Sequence, residues 1–502
     1  MKKKMKTTKI MLVGLSALVL AGCAKDRTAP NDNSKKSFLT VQFAVAAPTS
    51  KTDNSGAKLD GTPAESSVSN AVVYLVQSGQ VKAILSVSSL NQVSHGGYDD
   101  GYESPVLETT VEPGTYDVYA YAGSSADPFG YSVGSSWNGT ATQTFAPVAR
   151  EGIANAGNTA ANDNSFMMFS QNDASATGNT VPTVTITSAN NKTSNPAVAE
   201  TVYLDRLTAK VTASEDVSLT INSNVKSGDF ASATAELNGI LPVSAAKTMY
   251  IQQQWSDPAK LNLSTPSTDR YGMINGSFAS AGETYADIQT STGSYTSVAV
   301  SDLTGKVVPA DKPLYILENL AESTPVWGST TGVVFKVTLD ATGSGTPATF
   351  FGYNKNSEHF LNLAALQSNY PNAFDVFGNT NPDGTDNDAQ NLADAEALLS
   401  SDVAAFRAQT KINVFEDGVM YYTYFIKDAN YNNYGIYRNT WYQLQVTEIT
   451  NFGDDIPGGW NPDDPTVNPD PTTPVEDDKL YIKVKLLVNK WVASVTTIHL
   501  GE

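Results

Sequence analysis

Few residues in this chain could do covalent or metal chemistry. It has 502 residues but a single cysteine, Cys23, and three histidines, His95, His359 and His499, far apart in sequence. One thiol cannot close a disulfide within the chain or supply a cysteine-rich zinc site, but it can be a point of modification. The scattered histidines are expected at the surface or a rim, not as metal ligands or half of a serine–histidine pair. There is no phosphate loop or dinucleotide fingerprint. The acid-rich stretches 383–388 and 454–478 lack the ordered calcium loop Asp-x-Asp-x-Asp-Gly and read as solvated loops. Trp441 and Tyr442 could stack on a sugar, but their place in an alternating run favours packing within a sheet. These readings point to a protein that is not an enzyme and needs no cofactor and no metal.

The elements that carry these residues are set by composition. The apolar fraction is 40% and only 17% of residues are charged, so the chain can bury cores, and its length suits two or three domains. Prominent Thr, Val and Tyr favour strands joined by turns. A net charge of −19 repels phosphates, which excludes nucleic acid as a partner and serves solubility.

The N-terminus gives the lone cysteine a purpose. Lys2, Lys3, Lys4, Lys6 and Lys9 precede a short apolar run over 10–20, too short to span a bilayer. The run ends at Leu20, Ala21, Gly22 and Cys23, which resembles a bacterial lipobox. That resemblance implies diacylglycerol on the Cys23 thiol, cleavage before Cys23 and acylation of the new amine. Two or more acyl chains anchor stably where one does not. Residues 1–22 are thus expected to be a lipoprotein signal peptide, and 24–36 a polar tether.

Leu39, Val41, Phe43 and Val45 alternate with polar or small residues, the pattern of a half-buried strand. The strand stops at Pro48, and 49–64 reads as an exposed loop that opens Lys51 and Lys58 to a trypsin-like protease. Further strands are expected at 71–76, 81–87, 116–121, 181–186, 202–213, 248–253, 314–317, 333–339, 419–426 and 442–449, with Arg206 and Lys210 on a polar face. A domain boundary is placed near residue 200. Stretches 357–368 and 388–409 carry apolar residues at helical spacing, with Leu392, Ala395, Leu398, Leu399, Val403 and Phe406 on one face and Asp388 as a cap.

After residue 453 prolines alternate with Asp, Asn and Thr, a composition that cannot join a central strand. At ~3.1 Å per residue, 454–478 would reach roughly 70 Å as a semi-rigid arm. Beyond it Leu480, Ile482, Val484, Leu486 and Val488 alternate with mostly polar residues, followed by Trp491. An amphipathic strand on a long arm is expected to pair with another molecule. If a protease cuts after Lys51, before Thr52, the first strand can leave and open an apolar groove. The last strand of a second copy can fill it, burying four or five side chains worth about 10 kcal/mol together. Such a head-to-tail link need not close and can give a filament.

These features resemble the Bacteroidia fimbrillins, or type V pilins, and within them the shaft subunit of the short fimbriae. The resemblance rests on the lipobox and on the early strand followed by a basic site. It rests also on Tyr203-Leu204-Asp205-Arg206, on the run Gly435 to Tyr442 with Leu444 and Val446, and on the proline-rich arm and end strand. Family members are typically cut after arginine; here the matching position is Lys51. The resemblance implies an all-β fold with helical insertions: two transthyretin-like β-sandwich domains in tandem, at 52–199 and 200–453. A tether and removable strand (23–51) precede them, and an arm (454–479) and donor strand (480–502) follow. It implies export as an outer-membrane lipoprotein precursor, maturation by a protease, and polymerisation with itself into a cell-surface fimbrium. Related anchor and tip subunits and surface receptors are the implied partners, and adhesion and biofilm formation the implied roles. The alternative is a tip adhesin, anchor or glycan-binding lipoprotein that does not polymerise.

Overall fold

Runs of alternating β-branched and aromatic residues carry most of the chain into sheets. In a computed structural model the structure describes residues 36–45, 58–60, 63–95, 98–137, 142–144, 167–170, 181–243, 245–246, 248–250, 295–296, 307–310, 312–317, 319–320, 325–327, 330–428, 433–456, 474–475 and 481–492. The expected lipobox residues Leu20, Ala21, Gly22 and Cys23, the cleavage pair Lys51 and Thr52, and Leu480 lie outside these residues.

The chain is mostly β, with short helices. The largest sheet has the strand order Gln80–Val87, Ala71–Gln77, Gly114–Ala122, Met168–Ser170, Val202–Arg206, Gln42–Val45, Tyr98–Glu103, Asn91–His95, with Thr183–Ile186 also on Gly114–Ala122. Ala71–Gln77 and Gln80–Val87 form a hairpin whose two turn residues, Ser78 and Gly79, both have positive φ (54° and 70°). This turn matches the right-handed twist of the strands, and glycine enters that region without strain. A small sheet of Ala197–Val198, Ser37–Thr40 and Leu107–Thr109 lies beside it. Val73, Leu75, Val118, Met168 and Leu204 share a core with the early strand.

The second large core draws on two other sheets. One runs Leu314–Leu317, Thr208–Ile221, Thr440–Ile449, Ile482–Val492, Lys58–Asp60; the other runs Val308–Pro309, Thr234–Val243, Gly332–Asp340, Val419–Phe425. Val211, Leu237, Phe335, Val337, Met420, Tyr442 and Leu444 meet there. Helices Leu363–Asn369, Asp388–Ser401 and Val403–Thr410 are inserted between strands Glu358–Phe360 and Asn413–Phe415. They bury Leu366, Phe374, Ala395 and Phe406 in a small core of their own, against the partly buried Leu392, Leu398, Leu399 and Val403. Among the described residues no helix is long and apolar enough to cross a membrane.

Several expectations change. The cap of the longest helix is Asn387, whose side chain accepts from the Gln390 amide, so Asp388 sits in the first turn instead. The stretch 357–368 begins as a strand because Glu358–Phe360 pairs with Phe350–Tyr353, and only Leu363–Asn369 is helical. The boundary near residue 200 falls among strands of the first sheet. Val202–Arg206 pairs with residues 43–45 and with 168–170, and the chain passes to the second set of sheets at Leu207 and Thr208. The loop 49–64 is not loop throughout, since Lys58–Asp60 is a strand on the second set and Pro63–Ser66 a helical turn.

Candidate functional site

The expected removable strand lies inside its sheets, with a neighbour on each side. Ser37–Thr40 runs between Ala197–Val198, parallel, and Leu107–Thr109, antiparallel; Gln42–Val45 runs between Val202–Arg206, parallel, and Tyr98–Glu103, antiparallel. At the junction the Val41 amide donates to Ser104 Oγ (3.0 Å) and the Val41 carbonyl accepts from the Ser104 amide (2.9 Å). Leu39, Val41, Phe43 and Val45 are all buried. Period-two alternation makes this so: one face of the strand meets the core over its whole length. Without this strand the fold would keep both neighbours and show four apolar pockets between two rows of unpaired backbone groups.

The expected donor strand is found on its own chain. Ile482–Val492 pairs antiparallel with Thr440–Ile449 over almost its full length, and its outer edge carries Lys58–Asp60, parallel, with Leu59 opposite Trp491. Ile482 and Val488 enter the second core, while Val484 and Leu486 pack against it. The reason is energetic: an amphipathic strand beside an open edge of its own sheet gains burial and hydrogen bonds at once. The arm does not run free throughout. Asp455 is buried against Arg407 (2.7 Å), and the Val475 amide donates to the Pro325 carbonyl (2.9 Å).

A buried polar cluster joins the two sets of sheets. Arg206, expected on a polar face, is fully buried. Its Nε donates to the Glu65 carbonyl (2.7 Å), Nη1 to Asn439 Oδ1 (2.9 Å) and Nη2 to Ser66 Oγ (3.0 Å). Lys210, also buried, pairs with Glu65 (2.9 Å) and lies 3.7 Å from the centre of the Trp441 ring. Tyr315 donates to Glu65 Oε1 (2.5 Å); burial, then this bond and the Glu65 charge, push its hydroxyl pKa far up. Asn439 also donates to Asp205. The sequence runs ending in Arg206 and containing Trp441 thus meet in one network. Tyr442 lies in the second core and donates to Asp428 (2.7 Å). Glu65 went unnoticed in the sequence because nothing near it marks a buried carboxylate; its partners come from 141 or more residues away.

His359 is half-buried. It stacks on Phe452 with ring centroids 3.5 Å apart, and burial holds its imidazolium pKa down at about 3. Close by in sequence, Asp454 has its carboxyl pushed up to about 7, by burial first and the Asp455 charge second. The two act in opposite directions. The histidine takes up a proton in the unfolded chain below its ordinary 6.5 but in the folded one only near 3, so its contribution is lost as pH falls between those values. The folded Asp454 keeps a proton that the unfolded chain releases above 3.8, so stability is lost as pH rises from 3.8 to about 7. The gain expected from Asp454→Asn at pH 8 should therefore shrink towards nothing by pH 4. Denaturant midpoints of the variant and the parent across that range check this.

Among the described residues no group of three or more His, Cys, Asp or Glu side chains could hold a metal ion. Residues 413–497 match the family model described as Fimbrillin_C, major fimbrial subunit protein type IV, fimbrillin, C-terminal. No curated protein matches the chain. Among solved structures, one described as a candidate cell adhesion protein from Parabacteroides distasonis ATCC 8503 is 12% identical, covering 91% of this chain and 99% of that one (TM-score 0.45). A fimbrilin from Porphyromonas gingivalis W83 is 13% identical, covering 91% and 99% (TM-score 0.39). The tip fimbrial protein Mfa3 from Porphyromonas gingivalis, C-terminally truncated, is 13% identical, covering 91% and 100% (TM-score 0.32). The family segment takes in Thr440–Ile449 and Ile482–Val492, the two strands that pair across the arm. Residues 413–497 are thus similar to the C-terminal part of the fimbrillins.

Proposed function

We propose that this chain is a structural subunit of a cell-surface fimbrium, of the kind that forms the shaft of short fimbriae, and polymerises by strand exchange. The single observation that carries this reading is the leading strand, Ser37–Thr40 and Gln42–Val45, buried between a parallel and an antiparallel neighbour. The precursor is exported as a lipoprotein through Cys23, with 1–22 as signal and 23–51 as tether and removable strand. Cutting after Lys51 releases that strand with its lipid. Two sandwich domains remain, and residues 480–502 of a second copy, reaching over the arm 454–479, occupy the vacated groove. Tip and anchor subunits, a maturation protease and a surface receptor complete the assembly, which serves adhesion and biofilm formation. The chain's role is mechanical and needs no catalytic group or cofactor.

N-terminal sequencing of protein sheared from cells tests the reading. A start at Thr52, with filaments in the electron microscope, is the expected result, and Lys51→Ala should stall the chain as an uncut precursor. The pairing of Ile482–Val492 with its own chain favours a second reading, an anchor or tip lipoprotein that never polymerises. Surface protein that begins at lipidated Cys23 and forms no filaments would establish that reading instead.

A further inference from the structure

The trailing strand carries the same inner-face apolar alternation as the leading strand. Laid side by side without a gap, Lys479 falls on Lys36, Tyr481 on Phe38, Ile482 on Leu39, Val484 on Val41, Leu486 on Phe43 and Val488 on Val45. We infer that this alignment is the register in which a second copy's trailing strand enters the groove, with Leu487 in the place of Ala44 and Lys485 in the place of Gln42. The inference rests on the exchange reading above and adds to it the residues that set its specificity.

Shape, charge and slippage agree on this register. On the inner face each pocket that held Leu39, Val41, Phe43 or Val45 receives an aliphatic side chain, the deepest change being leucine for phenylalanine. On the outer face Ala44 stands between Tyr203 and Gly101 and is fully buried. Gly101 offers no side chain to oppose Leu487 there. Leu487 is 41% exposed on its own chain and Tyr203 is 37% exposed, and the exchange covers each with the other. Gln42 is directly opposite Glu103, so Lys485 gains a cross-strand ion pair there. Lys479 inherits the bond that Lys36 makes to Glu108 (2.9 Å). Lys483 takes the buried place of Thr40, next to the exposed Val198, so its ammonium has to reach water past Val198.

Other registers fail on named residues. Advancing the donor by one residue puts Lys483 and Lys485 into the buried places of Leu39 and Val41. Advancing the donor by two drives Lys490 into the fully buried place of Val45. Retarding it by two puts Lys485 into the fully buried place of Ala44 and sets Asp477 against Glu108.

Cysteine pairs in fimbriae sheared from cells test the register, since the only native cysteine departs with the leading strand. Tyr203→Cys with Leu487→Cys should give a ladder of disulfide-linked subunits on non-reducing gels. Tyr203→Cys with Lys485→Cys or with Asn489→Cys should give at least tenfold less. A stronger ladder from either of the latter, or filaments without a ladder from the first, overturns the register while leaving exchange in place. Failure of the unsubstituted chain to form filaments overturns exchange, and the register with it. A charge swap keeps the question open to test should the cysteine variants misfold. Glu103→Lys and Lys485→Glu should each slow polymerisation several-fold, and the double variant should restore it; no restoration overturns the register.

Discussion

A chain cut between residues 45 and 58 and stripped of its leading strand in denaturant is expected not to refold its first set of sheets alone. A peptide spanning residues 36–45 should restore them. Four large apolar side chains, Leu39, Val41, Phe43 and Val45, all buried, go with that strand. At roughly 1.5–3 kcal/mol each their loss is about 6–12 kcal/mol, before counting the backbone bonds left open on two neighbours. Natural domains have only about 5–15 kcal/mol in total, so the loss consumes most or all of it. Cutting without stripping should have little effect on the midpoint, because the strand stays bound between its neighbours. Hydrogen exchange at residues 116–122 and 202–206 reads the difference. Rapid exchange without peptide and protection with it is the expected result, and full protection in the stripped chain would show the strand to be dispensable. A peptide of residues 479–490 should protect the same amides if the register inferred above is right.

The same cut bears on the trailing strand. Lys58–Asp60 is the strand on the outer edge of Ile482–Val492 and follows directly on the severed connection. A three-residue strand tied at both ends loses one tie and frays more readily. Amides of residues 490–492 should therefore exchange several-fold faster after cutting. Faster exchange there, with residues 440–446 unchanged, would mean that one cleavage both empties the groove and loosens the strand that can fill another.

What the sequence made legible was whatever depends on period and punctuation. The leading strand showed itself through Leu39, Val41, Phe43 and Val45, and the apolar helix face through Ala395 and Phe406. Alternation says that a strand has a buried face but not whose core it faces. That is why Ile482–Val492 was expected on another molecule and is found on its own chain. Polar letters mislead in a related way. Arg206, Lys210 and Asp455 read as surface residues, yet each is buried because partners distant in sequence satisfy it. No local pattern records partners brought together only by the fold.

Those buried partners carry the second large effect. Arg206→Ala is expected to cost about 3–5 kcal/mol, read as a lower urea midpoint at unchanged slope. The guanidinium makes three bonds in three directions, to the Glu65 carbonyl, Asn439 and Ser66. Arg206→Lys should recover little, because an ammonium cannot reproduce that fork. Glu65→Gln should be comparably harmful, since it leaves Lys210 buried against an aromatic ring without its counter-charge. The double variant Glu65→Gln with Lys210→Met should be less destabilised than Glu65→Gln alone, because it removes the stranded charge instead of adding a second fault. A double variant no better than the single one would mean that the network acts through packing, not charge. The position of Glu65 gives the network its bearing on assembly. It lies five residues after Asp60, so it anchors the chain just beyond the segment that lines the trailing strand. Through Arg206 and Lys210 it holds that anchor to the strands where the chain passes from one set of sheets to the next. The chain downstream of the cut therefore stays fastened at Glu65 while the strand upstream departs.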